Sequence, residues 1–295
     1  MKTTTSKGLS EAHDGKHSFL FWLIVPIIMI WLAVSYIIGF VKDRPAWEQM
    51  SNRTVQSASV NPYLPVYPPL PASPDGTYIS LWFDDAWLSQ YMTAYPILKS
   101  YGYPATVAVP VAAVETPGYM NWAQLRVLQS DGWEMANHSM VHDCTMNSWE
   151  KDKVENEYQA AKLMLWKNKL ASDIFVTPCG VDSPVMRDAA TKLFVGYRTV
   201  DPGINDLANP DFYNLKVRNL DFDVTVETVQ GWIDNARKEH GWVILVFHKV
   251  GEPGKSGDTD QYNTRTEDLT TILDYIKSLN IPVVVPNQVL TSVIP

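Results

Sequence analysis

Two cysteines, Cys144 and Cys179, are all that the 295 residues contain. That excludes a disulfide framework of the kind that staples small secreted folds, and a free, buried pair is the expectation for them. Pairing is open to them if the domain faces an oxidising compartment. Positive charge is the second scarcity: 24 Lys and Arg stand against 32 Asp and Glu, a net charge of −8. No cluster of Lys and Arg occurs that could neutralise a phosphate backbone, so DNA and RNA are excluded as partners. Internal repeats are absent too.

Charge is missing altogether from Phe19 to Val41, a run of 23 residues reading FLFWLIVPIIMIWLAVSYIIGFV. Roughly 20 such residues cross a bilayer as a helix. A buried core helix would keep a polar face, and this run has none. A cleaved signal peptide would have a shorter apolar region and a small-residue cleavage site, which Lys42-Asp43-Arg44-Pro45 does not supply. Residues 19–41 therefore read as a single-pass signal anchor behind a short tail, residues 1–18. Lys2, Lys7 and Lys16 before the run balance Lys42, Arg44 and Arg53 after it, so charge gives no orientation. The short tail is placed in the cytoplasm and the large domain on the extracytoplasmic side of the cell membrane. Residues 42–75 are rich in Pro and Ser, with six prolines between Asn61 and Asp75, and read as an extended spacer.

Residues 76–295 are enough for one domain with a full core. Short, mostly apolar runs recur at Tyr78–Phe83, Ala105–Val109, Trp133–Asn137, Asp173–Val176, Gly196–Val200, Trp242–Phe247 and Pro282–Val285. Runs that are apolar throughout suit strands covered on both faces. Helical periodicity lies between them. Val154, Tyr158, Ala161 and Leu165 mark a helix within Trp149–Leu170, and Val226, Val229, Trp232, Ile233 and Ala236 mark another from an N-cap at Thr225 to Gly241. A third starts near Thr266 and presents Leu269, Ile272, Leu273 and Ile276. The alternation predicts an α/β domain with a mostly parallel sheet, either a barrel or an open doubly wound sheet.

Both layouts carry their chemistry at the C-terminal ends of strands. Reactive side chains stand at four such ends: Asp84 and Asp85 in LWFDDAW, His138 and His142 in NHSMVHDC, the VTPCG stretch, and His248 after WVILVF. The domain's other histidine, His240, falls at a helix C-terminus, where a surface imidazole is favoured by the dipole. His138 and His142 share one face if the segment begins a helical turn. By itself that spacing also fits two hydrogen-bonded structural histidines, and Asp85 by itself could cap a helix starting near Trp87. Together they favour a metal. Adjacent carboxylates repel, and one tends to hold a proton unless a cation is close. Asp85, His138 and His142 make a three-ligand set for a divalent cation, zinc first, with positions open for water and substrate. Asp84 would then act as general base and His248 as the acid that protonates a leaving amine.

These motifs resemble the polysaccharide deacetylase family, the NodB-homology domains of carbohydrate esterase family 4. Phe83–Ala86 is similar to the first family motif, Phe-Asp-Asp-Gly; His138–His142 matches the second, His-Ser/Thr-x-x-His; Val246–His248 resembles the last. The resemblance implies a distorted (β/α)7-type barrel and metal-dependent removal of N-acetyl groups from a sugar polymer. It implies the same roles: Asp84 as base, His248 as acid, and Asp85, His138 and His142 on the metal. Ala86 stands where the family has Gly, and Asp143 where Pro often follows the second His. The third motif, Arg-x-Pro-Tyr-Gly, appears as Val176-Thr177-Pro178-Cys179-Gly180, which keeps Pro178 but lacks the arginine that steadies the base. Arg198, at the end of the next strand in GYRTVD, is the candidate replacement, with Asp201 near it; an ordinary surface arginine is the alternative. The fourth family motif has no counterpart that can be read. The expected partner is an N-acetylated polysaccharide, such as peptidoglycan, a chitin-like polymer or exopolysaccharide. The alternatives are a glycan-binding module without turnover and a hydrolase of another C–N amide.

Overall fold

The computed structural model describes residues 63, 65–221, 223–251 and 262–293. Seven parallel strands close a barrel: β1 (Tyr78–Phe83), β2 (Thr106–Val109), β3 (Glu134–Asn137), β4 (Ile174–Val176), β5 (Gly196–Pro202), β6 (Leu215–Asn219) and β7 (Trp242–Phe247), in that order, with β7 pairing back onto β1. Among the described residues seven α-helices accompany them: α1 (Tyr95–Tyr101), α2 (Trp122–Ser130), α3 (Lys151–Lys167), α4 (Pro184–Leu193), α5 (Val226–Glu239), α6 (Thr266–Ser278) and α7 (Pro286–Val293). Two short parallel strands, β8 (Lys249–Val250) and β9 (Asn263–Thr264), pair beside the barrel.

Alternation along each strand divides the core in two. On β1, Ile79, Leu81 and Phe83 join the apolar layer shared with Leu98, Leu125, Leu165, Ile233 and Leu273 of the helices, while Tyr78 and Trp82 join the lumen with Val176, Val217, Ile244 and Val246. Both faces are buried, which is why these strands read as unbroken apolar runs. Each fully buried large apolar side chain contributes about 1.5–3 kcal/mol. The same parity continues past the strand ends: after Tyr78, Ser80 and Trp82 the next lumen-facing position is 84, and after Trp242, Ile244 and Val246 it is 248.

The helix expectations hold with trimmed ends. The Thr225 hydroxyl accepts from Thr228 N–H, and His240 terminates α5 in a left-handed conformation just before Gly241. Among the strands, the seventh member differs from expectation. Pro282–Val285 forms no strand; it makes a single bridge, Ile79 with Val283, flanked by hydrogen bonds from Ile79 N–H to Pro282 O (3.1 Å) and Val284 N–H to Ile79 O (2.9 Å). Proline lacks the donor that a ladder requires, and Pro286 already opens α7. The place in the barrel belongs to β6, whose Leu215 and Val217 are buried while Lys216 between them is exposed.

Among the described residues no helix is long and apolar enough to cross a membrane. The expected tail (1–18), the expected span (19–41) and the first part of the linker lie outside the described residues. The linker's last stretch, from residue 65, does not stand clear of the barrel. Pro68 O accepts from Gln288 Nε2 (3.1 Å), Pro71 O accepts from Tyr78 OH (2.9 Å), and Leu70 packs on the lumen cluster.

Candidate metal centre and catalytic residues

The mouth at the C-terminal ends of the strands collects the residues that the motifs single out. Asp84 continues the lumen row of β1 and is 5 % exposed. Its N–H donates to Phe247 O (2.9 Å), so the β1–β7 ladder fixes its backbone. Its carbonyl accepts from Gln90 Nε2 (2.5 Å), and the same amide donates to His248 O (2.9 Å), tying the two strand ends together.

Asp85 and Ala86 both have left-handed backbones (φ 74° and 55°). This turn aims Asp85 away from Asp84, so the adjacent carboxylates serve different neighbours. Glycine adopts that conformation freely, whereas alanine does so at a cost of about 1–2 kcal/mol, which Ala86 bears within a buried site. Asp85 Oδ1 lies 3.5 Å from His138 Nε2 and 3.3 Å from His142 Nε2. Burial alone would raise the Asp85 pKa, but contact with His138 and the neighbouring His248 and His142 hold the carboxyl well below the usual range.

His138 extends β3, its N–H donating to Val109 O (3.1 Å). Its Nδ1 lies 3.0 Å from Val176 O. A carbonyl can only accept, so Nδ1 carries a proton, which leaves Nε2 as the ring nitrogen that faces Asp85. The segment to His142 is not the helical turn that the spacing allows. Ser139 (φ 65°) and His142 (φ 51°) are left-handed, and the loop is held by Asn137 Oδ1 accepting from Ser139 N–H (2.9 Å) and Ser139 Oγ accepting from His142 N–H (2.9 Å). The rings still converge, with centroids 4.7 Å apart. Burial and the proximity of His138 lower the His142 pKa, against Asp85 and Asp84, which favours the neutral imidazole that binds metal.

Donor atoms of Asp85, His138 and His142 all lie within 4.8 Å of one another. Two imidazole nitrogens and one carboxylate oxygen fit a divalent cation, and unpartnered buried polar atoms at the same mouth, Asp84 Oδ1 and His248 Nδ1, leave capacity for water and substrate. Cys144 and Cys179 also flank His142, but they are joined in a disulfide and offer no thiolate. Here the expectation of a free, buried pair fails: both cysteines are exposed, in the loops after the neighbouring strands β3 and β4, where their Cα atoms come within 5.4 Å. Pro178 is buried and opens the short turn Pro178–Gly180 that presents Cys179. Gly180 is required in that turn, because at φ 69° a Cβ would collide with Val200.

Arg198 is no surface arginine. It is 1 % exposed, its Cζ sits 4.9 Å from the Trp82 ring centroid, and its Nη2 donates to Asp84 Oδ2 in a short charged hydrogen bond. Arg198 on β5 pairs in register with Val176 on β4, the position where the third motif would carry its arginine. The guanidinium thus enters at the same level of the barrel from the adjacent strand. Asp201 is not brought to it: that residue is exposed, and its N–H donates to Thr199 Oγ1 (3.1 Å).

His248 continues the lumen row of β7, its ring centroid 4.7 Å from that of Tyr262. Sequence reasoning missed three residues here. Gln90 and Trp87 follow the first motif, where they read as the start of a helix. Asp221, two residues past β6, lies within electrostatic reach of His248; desolvation raises its pKa and His248 opposes the rise. The signal for Asp221 is the carboxylate-rich LDFD after LKVRN, legible only once LKVRN is recognised as a strand.

The polysaccharide deacetylase family model matches residues 72–200. Among curated proteins none matches the chain. Solved structures share the fold. A family 4 acetyl xylan esterase from Clostridium thermocellum, in complex with a cobalt ion, superposes with a TM-score of 0.51 at 19% identity, covering 73% of this chain and 91% of its own. The Xyl-CE4 domain of a multidomain xylanase from the hindgut metagenome of Trinervitermes trinervoides gives 0.50 at 17%, covering 73% and 90%. A CE4 family pseudoenzyme from Bacillus anthracis gives 0.52 at 17%, covering 72% and 65%. Likeness at such identities establishes the fold. Residues 72–200 thus match the polysaccharide deacetylase family, and the closed barrel to which they contribute the first five strands has the fold of these solved structures.

Proposed function

We propose that the chain is a membrane-anchored, divalent-metal-dependent hydrolase that removes N-acetyl groups from an N-acetylated polysaccharide on the extracytoplasmic side. The observation that carries this reading is the convergence of Asp85, His138 and His142 beside a buried Asp84 held by Arg198. A cation bound there supplies Lewis-acid activation of water and of the amide carbonyl. Zinc is the first choice for two imidazoles and a carboxylate.

The remaining steps fall to the chain's own groups. Arg198 occupies Asp84 Oδ2, so the unpartnered Oδ1 is the oxygen that takes a proton from the attacking water. The His248 imidazole gives a proton to the amine as the C–N bond breaks, which an amide requires because an unprotonated amine is a poor leaving group. Gln90 holds the Asp84 and His248 backbones in fixed relation, so base and acid keep their separation. Support for the extracytoplasmic side is twofold: the uncharged run at 19–41 and the Cys144–Cys179 disulfide, a bond at home in oxidising compartments.

A second reading, glycan binding without turnover, is favoured by Val176 in place of the third-motif arginine, and a CE4 family pseudoenzyme shares the fold. Acetate release by the full chain from N-acetylglucosamine polymers, before and after chelation and on adding zinc back, separates the two. Asp84→Asn should keep the metal and lose turnover by about 10²–10⁴-fold. His138→Ala should lose both. Metal binding without acetate release from any polymer supports the binding module, and unchanged turnover in Asp84→Asn removes the base.

A further inference from the structure

Trp87 connects the metal-binding carboxylate to the rest of the mouth. Its indole Nε1–H donates to Asp85 Oδ2 (3.1 Å), while the other oxygen, Oδ1, is the one facing the two imidazole Nε2 atoms. Two side chains hold the indole itself. Tyr119 stacks on it with centroids 4.2 Å apart and 24° between planes, and Lys249 Nζ lies 4.2 Å from its centroid. The backbone is fixed as well: Trp87 and Tyr119 form an antiparallel bridge, Leu88 N–H donates to Gly118 O (2.8 Å), and Met120 N–H donates to Ala86 O (2.9 Å).

We infer that Trp87 is a positioning residue for the metal: its N–H fixes the Asp85 carboxylate so that Oδ1, and not Oδ2, is presented to the cation. The inference rests on the reading of Asp85, His138 and His142 as ligands. Three observations support it. Asp85 sits on two consecutive left-handed residues, so its backbone alone does not enforce one carboxylate orientation. Among the described residues Oδ2 has the indole N–H as its donor, while both imidazoles lie at Oδ1. Aromatic stacking and a cation over the ring restrict the indole's rotation, so the donor is already in place before metal arrives. Partners in the outer shell of a metal site characteristically set affinity by 10- to 100-fold. Lys249 follows His248 directly, so the same clamp couples the orientation of the Asp85 carboxylate to the proposed acid.

Trp87→Phe keeps an aromatic ring against Tyr119 and Lys249 but removes the N–H. The zinc dissociation constant of the full chain, measured by competition with a chromophoric chelator, should rise 10- to 100-fold, with the metal-free melting temperature unchanged within a few degrees. The visible bands of added cobalt should shift in position and intensity, because the carboxylate is then free to rotate or to bind through both oxygens. Tyr119→Leu and Lys249→Met retain the N–H and remove one support each, and both should weaken zinc by less than Trp87→Phe does. Parent-like zinc affinity and cobalt bands in Trp87→Phe would overturn the inference while leaving the ligand reading intact. Larger losses in the two support variants would overturn it too, by assigning the effect to packing. A parent chain that binds neither zinc nor cobalt would overturn both.

Discussion

Replacing Arg198 by methionine tests the central electrostatic arrangement. The substitution keeps an apolar stem of similar length beside Trp82 and deletes the charge. Arg198 and Asp84 are 1 % and 5 % exposed, so neither is screened appreciably by solvent. At hydrogen-bonding separation and an effective dielectric of about 20 their attraction is on the order of 5 kcal/mol. Removing one member of such a pair strands the other charge in the lumen, at a cost of about 3–5 kcal/mol. Urea unfolding, followed through tryptophan fluorescence, should show a loss of that size for Arg198→Met. The double variant Asp84→Asn with Arg198→Met should recover most of it, because no unpaired charge is left. Acetate release should fall at least 100-fold in the single variant, since the guanidinium no longer holds Asp84 Oδ2 and so no longer fixes which oxygen meets the attacking water. Register supplies a stronger arm. Val176 and Arg198 are neighbours across the β4–β5 ladder, about 5 Å apart. Exchanging them, Val176→Arg with Arg198→Val, should return a guanidinium to the same level of the lumen and restore part of the turnover that Arg198→Val alone loses. An Arg198→Met protein that loses under about 1 kcal/mol and hydrolyses substrate at the parent rate would refute the assignment.

Two further predictions concern stability. Cys144 and Cys179 close a loop of sequence separation 35, and opening it frees the unfolded chain by about 3–4 kcal/mol. The double Cys→Ser protein should melt roughly 5–15 °C lower, and reducing agent should give the parent the same midpoint; no change in either would mean the bond is not formed. Glu134 is buried at the foot of the lumen. Burial pushes its pKa up to about 8 from 4.5, although Asn287 N–H and Nδ2–H donate to it at 2.9 and 2.7 Å. The native state therefore keeps a proton that the unfolded chain releases, so stability falls as pH rises from about 4.5 to about 8, by a total on the order of 5 kcal/mol. Glu134→Gln should flatten that slope in unfolding free energies taken between pH 5 and 9, and a slope equal to the parent's would contradict the burial argument.

Much of the barrel is legible because burial on both faces leaves a simple trace. YISLWF and WVILVF keep their expected bounds, and β2, β3 and β4 each lose one residue at the N-terminal end. LKVRN escapes the same rule since only its lumen side is fully buried, and Lys216 breaks the run. Missing that strand hides Asp221 as well. IPVVV passes the composition test for a strand but fails the hydrogen-bond test at Pro282. The disulfide leaves no local mark: two cysteines 35 positions apart meet only because β3 and β4 are adjacent in the barrel.

The residues of the proposed site divide along the same physical line. Asp84, Asp85, His138, His142 and His248 stand at the ends of apolar runs, and a parallel sheet gathers such ends without any further information. What Trp87, Gln90 and Arg198 contribute depends on atoms meeting across elements, and a motif read along the chain contains no such distances. Arg198 shows why the missing third-motif arginine is weak evidence for lost function. A lumen-facing position on β4 and its register partner on β5 open into the same layer of side chains, so a guanidinium delivered from either strand reaches the same carboxylate. The requirement that Asp84 imposes is a positive charge in its layer, and sequence order within the layer is free to change. A comparison of motifs one by one scores Val176 as a loss, whereas the layer as a whole keeps its charge balance through Arg198.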